Sequence, residues 1–293
     1  MTLFCLALVQ NAVDARPPHH HRPHRPHHHH RGSNRIVAVG DLHSDYNNTL
    51  TVLQMAKIID RRGNWIAGRD TFIQTGDNVD RGNGTIAIYQ LLQKLRKQAK
   101  RAGGEVVNLL GNHEVMNLQG DLRYVTEDEI ATFGGPEARK AAWDIFNISH
   151  IQNGHTMFSH ADMSIEWATK GVDQMNVMAH QALGEKLFKE PIFKTYGPVW
   201  NRDLAKQTAG EKETCEIIEN IKKILGVNRM VSGHTAQSKS GKVLSLCNGG
   251  YIGIDVGIIA YYGGNLAALE IIENRNGTQT VSAIYPTGKV ILS

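Results

Sequence analysis

Short apolar runs and amphipathic stretches alternate along this 293-residue chain from Asn34 onward. The segment "RIVAVGD" (35–41) is a continuous apolar run closed by Gly-Asp, the pattern of a buried strand. Residues 46–59 then place Leu50, Leu53, Met55 and Ile58 along a predicted helix, and "DTFIQTGD" (70–77) repeats the strand that ends in Gly-Asp. From 85 to 102 Ile86, Tyr89, Leu92 and Leu95 form one stripe of an amphipathic helix, which Gly103-Gly104 should stop. "EVVNLLGNHE" (105–114) reads as a third strand. Three strand–loop–helix units in succession predict βαβ crossovers.

The second half is less regular. "QNGHTMFSHAD" (152–162) predicts a hairpin around Asn-Gly whose second strand ends at His160. Residues 164–225 read as helices interrupted by "YGPVWNRD" (196–203), and "NRMVSGHT" (228–235) as a strand entering a loop. "KVLSLCNGGYIGIDVG" (242–257) and "LAALEIIENRNGTQTVSAIYP" (266–286) predict a strand-rich, hairpin-containing end.

The polar residues at the ends of these strands carry the chemistry. Strand one delivers Asp41 and His43, strand two Asp77, Asp80 and Arg81, and strand three Asn112, His113 and Glu114; "FSHAD" and "SGHT" add His160 and His234. In an α/β sheet the carboxyl ends of the strands gather at one edge, where ligands bind. Carboxylates, imidazoles and an amide without thiolate suit Mn, Fe or Zn rather than a structural zinc site. A lone His at a strand end is more often a satisfied core or surface residue, and His150, His155 and His180 are read that way. Five strand ends carrying ligand types beside small residues are harder to explain so.

Composition narrows the class. With 41% hydrophobic and 20% charged residues the chain is an ordinary globular protein. Its net charge of +4 is concentrated before Gly32, where four arginines stand against Asp14; beyond that point 28 basic residues face 27 acidic ones. No basic face for nucleic acid is implied, and no segment is long and apolar enough to span a bilayer. "TLFCLALV" (2–9) with Ala15 resembles a secretory signal peptide (1–15), although the positive residue usual before the apolar run is missing. This points to the secretory route, a secreted or periplasmic protein, with the cytoplasm as the alternative. Residues 16–33 are rich in His, Pro and Arg and are expected to be disordered, either as a solvated linker or as a metal-capturing tract. Cys215 and Cys247 have no metal-type or redox spacing; they are free to form one disulfide, but their sequence does not show that they meet.

Taken in order, "GDLHSD…GDNVDRG…GNHE…H…GHT" resembles the PPP family of metal-dependent protein phosphatases in the calcineurin-like metallophosphoesterase superfamily, and "GNHEVMNLQGDLRYV" (111–125) is close to its Shewanella-like phosphatase branch. Ser44 and Ala161 stand where the family commonly has Gly. The resemblance implies an α/β fold with a central β-sandwich flanked by helices, a catalytic domain over 34–293, and a helical lid at 164–195. It implies two metal ions, Mn foremost with Fe or Zn as alternatives: Asp41 and His43 on one, Asn112, His160 and His234 on the other, and Asp77 bridging both. A hydroxide held between the metals would attack a phosphate monoester on a phosphoprotein. His113 would act as general acid with Asp80 fixing its tautomer, while Arg81 and Arg202, with Asn112 beside them, would bind the phosphate. The competing readings are a phosphodiesterase or dinucleoside-polyphosphate hydrolase on the same metal core, or a His-rich metal buffer with a silent catalytic domain. Whether phosphoserine/threonine or phosphotyrosine is preferred stays open.

Overall fold

The structure, a computed structural model, describes residues 35–135, 147–274 and 278–293. The signal-like segment, the His-rich tract and Cys5 lie outside the described residues. The chain opens with two βα units: β1 (Arg35–Val39), α1 (Tyr46–Met55), β2 (Thr71–Gln74) and α2 (Thr85–Ala102). β3 (Glu105–Asn108), α3 (Asn112–Gln119) and α4 (Glu127–Thr132) follow. The β4 (Ser149–Gln152) and β5 (Thr156–Ser159) hairpin leads into α5 (Ile165–Lys170), α6 (Val172–Gly184) and α7 (Glu211–Leu225). The rest is β6 (Arg229–Ser232), β7 (Leu244–Leu246), β8 (Tyr251–Gly253), β9 (Ala268–Glu273), β10 (Gln279–Tyr285) and β11 (Gly288–Ile291).

Two sheets result, of six strands in the order β11-β10-β9-β1-β2-β3 and of five in the order β4-β5-β6-β8-β7. β1, β2 and β3 are mutually parallel, as the crossover pattern predicts, and β5, β6 and β8 form the parallel centre of the second sheet. The period-2 alternation of strands explains how the layers stack. Phe158, Val231 and Ile252 point into one core with Val37, Phe72 and the apolar faces of α1 and α2. Their neighbours Met157, Met230 and Tyr251 point the other way, into a second core with Trp167, Met175 and Ile218 of α5–α7. The segment 164–195 thus packs on the outer face of the second sheet, with Trp167, Met175, Ala179 and Leu183 buried.

Local signals account for most boundaries. α2 runs over 85–102 and ends at Gly103, whose φ of 81° is the left-handed cap. In the three-residue loop of the β4–β5 hairpin, Asn153 and Gly154 both have positive φ (53° and 69°) as the central residues of a turn closed by His155 N–H on the Gln152 carbonyl. Two expectations are corrected. α1 stops at Met55 rather than at Ile59, because Lys57 turns to a φ of 57° and the buried Ile59 pairs with Trp65 in an isolated bridge. The third strand ends at Asn108, and Asn112, His113 and Glu114 form the first turn of a helix. Cys215 of α7 and Cys247 after β7 are joined in a disulfide with their Cα atoms 5.5 Å apart.

Candidate active site

All six residues expected to hold metal are buried and lie where the two sheets meet. Loop β1–α1 brings Asp41 and His43, loop β2–α2 brings Asp77, Asp80 and Arg81, and the first turn of α3 brings Asn112 and His113. The second sheet contributes His160 after β5 and His234 after β6. Two groups of donors lie close enough to share an ion: His43, Asp77 and His113, and Asp77, His160 and His234. Asp77 belongs to both. Asp41 lies beside the first group, its Oδ2 3.9 Å from His43 Nε2, and Asn112 beside the second, its Oδ1 2.9 Å from His160 Nε2.

Each imidazole is oriented by its other nitrogen. His43 Nδ1 contacts the Val79 carbonyl at 3.0 Å, His160 Nδ1 the Thr75 carbonyl at 2.9 Å, and His234 Nε2 the Trp200 carbonyl at 3.0 Å. Carbonyls only accept, so each of these nitrogens carries the proton and the opposite ring nitrogen is left as a lone pair for a cation. Burial drives His43 down to about 4, and it drives His234 well below its ordinary value, with the neighbouring His160 adding to the effect. Both are neutral, the state a metal ligand requires. Burial raises Asp41, helped by the charges of Asp255 and Asp77. Burial would also raise Asp77, but the surrounding imidazoles, His160 and His113 first, outweigh it and hold Asp77 well below the usual carboxylate range. A buried pocket with crowded carboxylates and neutral imidazoles fits divalent cations.

His113 stands apart from this pattern. Its Nδ1 meets not a carbonyl but Asp80 Oδ2 at 2.7 Å. Asp80 in turn accepts from Asn117 Nδ2 at 2.8 Å, and the same Asn117 amide bonds the His113 carbonyl. Burial pulls the His113 pKa down, yet Asp77 and the hydrogen-bonded Asp80 raise it above its ordinary value. His113 Nε2 lies 3.9 Å from Asp77 Oδ2, facing the same point as the ligands.

The two arginines approach from different sides. Arg81 lies against Tyr124, Tyr261 and Tyr262, its guanidinium carbon 4.6, 5.0 and 4.9 Å from the ring centroids, and its buried Nε has no hydrogen-bond partner among the described residues. Arg202 reaches the site from the 196–203 segment, with Nη1 on the His234 carbonyl at 2.7 Å.

Several supports escape sequence reasoning. Glu114 is fully buried, and its carboxylate accepts the backbone N–H groups of Asp77 (2.9 Å), Asn78 (2.7 Å) and Gly111 (2.8 Å). It ties loop β2–α2 to the start of α3. Gly111 has to be glycine here, because a Cβ would run into the Asp77 carboxylate. The left-handed backbone of His43 (φ 44°), Ser44 (61°), Asp77 (55°), Asp80 (70°), Arg81 (67°) and His234 (63°) is uncommon for such residues. Asp255, just beyond β8, is buried beside Asp41 and pushed up to about 6, chiefly by burial. It obeys the same strand-end rule as the ligands, and "GYIGIDVG" contains the signal.

The comparisons with known proteins agree with this geometry. Residues 34–238 match the family model described as calcineurin-like phosphoesterase. An uncharacterised Schizosaccharomyces pombe protein is 36% identical over 87% of this chain and 82% of its own length. Shewanella-like protein phosphatase 2 of Arabidopsis thaliana is 25% identical over 85% of the chain and 78% of its own length. The crystal structure of a cold-active protein-tyrosine phosphatase from a psychrophilic Shewanella species superimposes with a TM-score of 0.74 at 27% identity, covering 89% of this chain and 81% of that one. The chain belongs to the calcineurin-like phosphoesterase family, and within that family it is similar to the Shewanella-like protein phosphatases.

Proposed function

We propose that this protein removes phosphate from phosphoproteins as a two-metal monoester phosphatase, with phosphotyrosine as the favoured substrate and Mn as the foremost metal. The observation that carries the reading is Asp77, shared by two metal-holding groups with the His113–Asp80 pair beside it. Asp41 and His43 would hold one cation, Asn112, His160 and His234 the other, and Asp77 both. When bound, the two cations supply positive charge to the phosphate oxygens and an activated water.

The protein's own groups then divide the remaining tasks. Arg81 and Arg202 bind the phosphate oxygens, and Arg81 gains a partner for its unsatisfied Nε. Asp80 keeps a proton on His113 Nδ1, so that Nε2 can release its own to the leaving oxygen. Tyr261, 71% exposed, and Tyr124, 38% exposed, wall the mouth beside Arg81. Offset or edge contact with these rings favours an aryl leaving group over an alkyl one, and the Shewanella neighbour is a tyrosine phosphatase. The Cys215–Cys247 disulfide supports an oxidising compartment.

The test is turnover of a matched phosphotyrosine and phosphoserine peptide pair, and of a nucleotide diester, by metal-stripped and Mn-reloaded protein. Metal-dependent release from the phosphotyrosine peptide is expected. Preference for the diester, or no turnover with Mn, Fe or Zn, would remove the reading.

A further inference from the structure

Asp162 lies two residues beyond His160, belongs to neither ligand group, and is only 1% exposed. A carboxylate so placed costs stability unless its oxygens are occupied. Its Oδ1 accepts the Tyr251 hydroxyl at 2.5 Å and Ser232 Oγ at 3.1 Å, and those two hydroxyls are themselves 2.6 Å apart. Tyr251 and Ser232 belong to β8 and β6, the rigid centre of the second sheet. The other oxygen faces a loop: Oδ2 accepts the Ala205 N–H at 2.8 Å, with the Leu204 N–H also contributing. The backbone adds two more ties to that loop. Asp162 N–H donates to the Asn201 carbonyl and Ala161 N–H to the Pro198 carbonyl, each at 3.1 Å.

Arg202 sits in the middle of this tethered stretch. The chain from 198 to 210 has only turns, with no sheet ladder or helix to fix it, yet its guanidinium has to meet a phosphate to within a few tenths of an ångström. An apolar residue at 162 would fill the space between sheet and loop equally well; only a carboxylate gathers hydroxyls from the sheet and N–H groups from the loop on one side chain. Burial keeps the Tyr251 phenol protonated, so it remains a donor.

We propose that Asp162, backed by Tyr251 and Ser232, is a positioning residue that holds the Arg202 loop in register with the metal ligands, so that phosphate affinity depends on a carboxylate that touches neither phosphate nor metal. The inference rests on Arg202 being a phosphate ligand, as the proposed function has it.

The experiment measures inhibition by inorganic phosphate on Mn-loaded enzyme turning over an aryl phosphate, together with metal content, for Arg202→Ala, Asp162→Asn, the double variant and Tyr251→Phe. Loss of the guanidinium should raise the phosphate inhibition constant about tenfold or more. Asp162→Asn should raise it about three- to tenfold with both metals retained, and in the Arg202→Ala background it should add nothing, since coupled residues are not additive. Tyr251→Phe keeps the ring in the core and should shift the constant in the same direction by less, again only while Arg202 is present. Additive losses, or loss of metal in Asp162→Asn, would show a general structural role and overturn the inference while leaving the phosphatase reading intact. An unchanged constant in Arg202→Ala would overturn both the phosphate role of Arg202 and this inference.

Discussion

Replacing Glu114 by Gln tests the frame of the site while leaving every expected metal ligand and phosphate-binding side chain in place. The two side chains have the same shape, but the carboxylate accepts N–H groups on both oxygens: Asp77 and Gly111 on Oε2, Asn78 on Oε1. An amide has one oxygen. Whichever way it is placed, its NH2 faces at least one backbone N–H at 2.7–2.9 Å, leaving a buried donor unpaired. A stranded donor costs about 1–3 kcal/mol, and the remaining bonds lose their charge-assisted part, so a total of about 2–5 kcal/mol is expected. For a domain of this size that corresponds to roughly 5–15 °C in melting temperature. The loss should fall on loop β2–α2 and the start of α3, which Glu114 joins. Thermal melting of metal-free protein and metal content after reloading are the measurements. A melting point within about 2 °C of the parent, with two metals bound per chain, would refute the assignment of Glu114 as the clamp of these loops.

Three further outcomes are expected. His113→Asn should lose about 10²–10⁴-fold on alkyl phosphates and much less on an activated nitrophenyl phosphate, with metal content intact; equal loss on both substrates together with lost metal would make His113 a ligand. Removal of metal should destabilise the protein more at pH 7 than at pH 5. Burial raises Asp41 and lifts Asp255 to about 6, so near pH 5 these carboxyls hold protons in the metal-free fold that compete with the cations. Their own contribution to metal-free stability is lost as pH rises from near 4 toward 6, by at most about 3 kcal/mol from Asp255. His43, held down to about 4, acts on the metal-free fold in the opposite sense but carries no competing proton between pH 5 and 7. A metal-induced rise in melting temperature that is the same at both pH values would contradict this. Gly111→Ala should release metal and lower the melting temperature, because the new methyl group meets the Asp77 carboxylate and comes within 2.5 Å of the Asp77 nitrogen; unchanged metal binding would show that the loop yields freely.

The parts of the site that sequence exposed are those whose chemistry adjoins a local backbone signal. Asp41, Asp77 and Asn112 each follow a glycine at the end of an apolar run, so both their chemistry and their place at the sheet edge could be read along the chain. α2 was legible to the residue because its apolar stripe ends at a glycine cap. The apolar Ile58 and Ile59 misled, since apolarity marks burial and not conformation: both are buried past the end of the helix, Ile59 in a bridge to Trp65. Glu114 and Asp255 were present in quoted motifs, but their importance lies in which N–H groups and carboxylates they meet, and the fold alone settles that. The rings around Arg81 come from residues 124, 261 and 262, and nothing in the local sequence pairs residues so distant. The Asp162–Tyr251 bond spans 89 positions and was illegible for the same reason.

The left-handed residues around the site bear on how such a chain would evolve. His43, Asp77, Asp80, Arg81 and His234 occupy a conformation that glycine or asparagine adopts more easily. Conformational strain of this kind costs of order 1 kcal/mol or more per residue and persists only where function demands the side chain. Selection on stability alone would exchange these residues for glycine or asparagine one by one, each exchange making the fold easier to maintain while erasing a reactive group. A duplicated copy freed from its chemistry would therefore decay first at these positions, before its core. Among relatives of this chain, glycine or asparagine at the positions of His43, Asp80 or Arg81 would mark the copies that have stopped turning over phosphate.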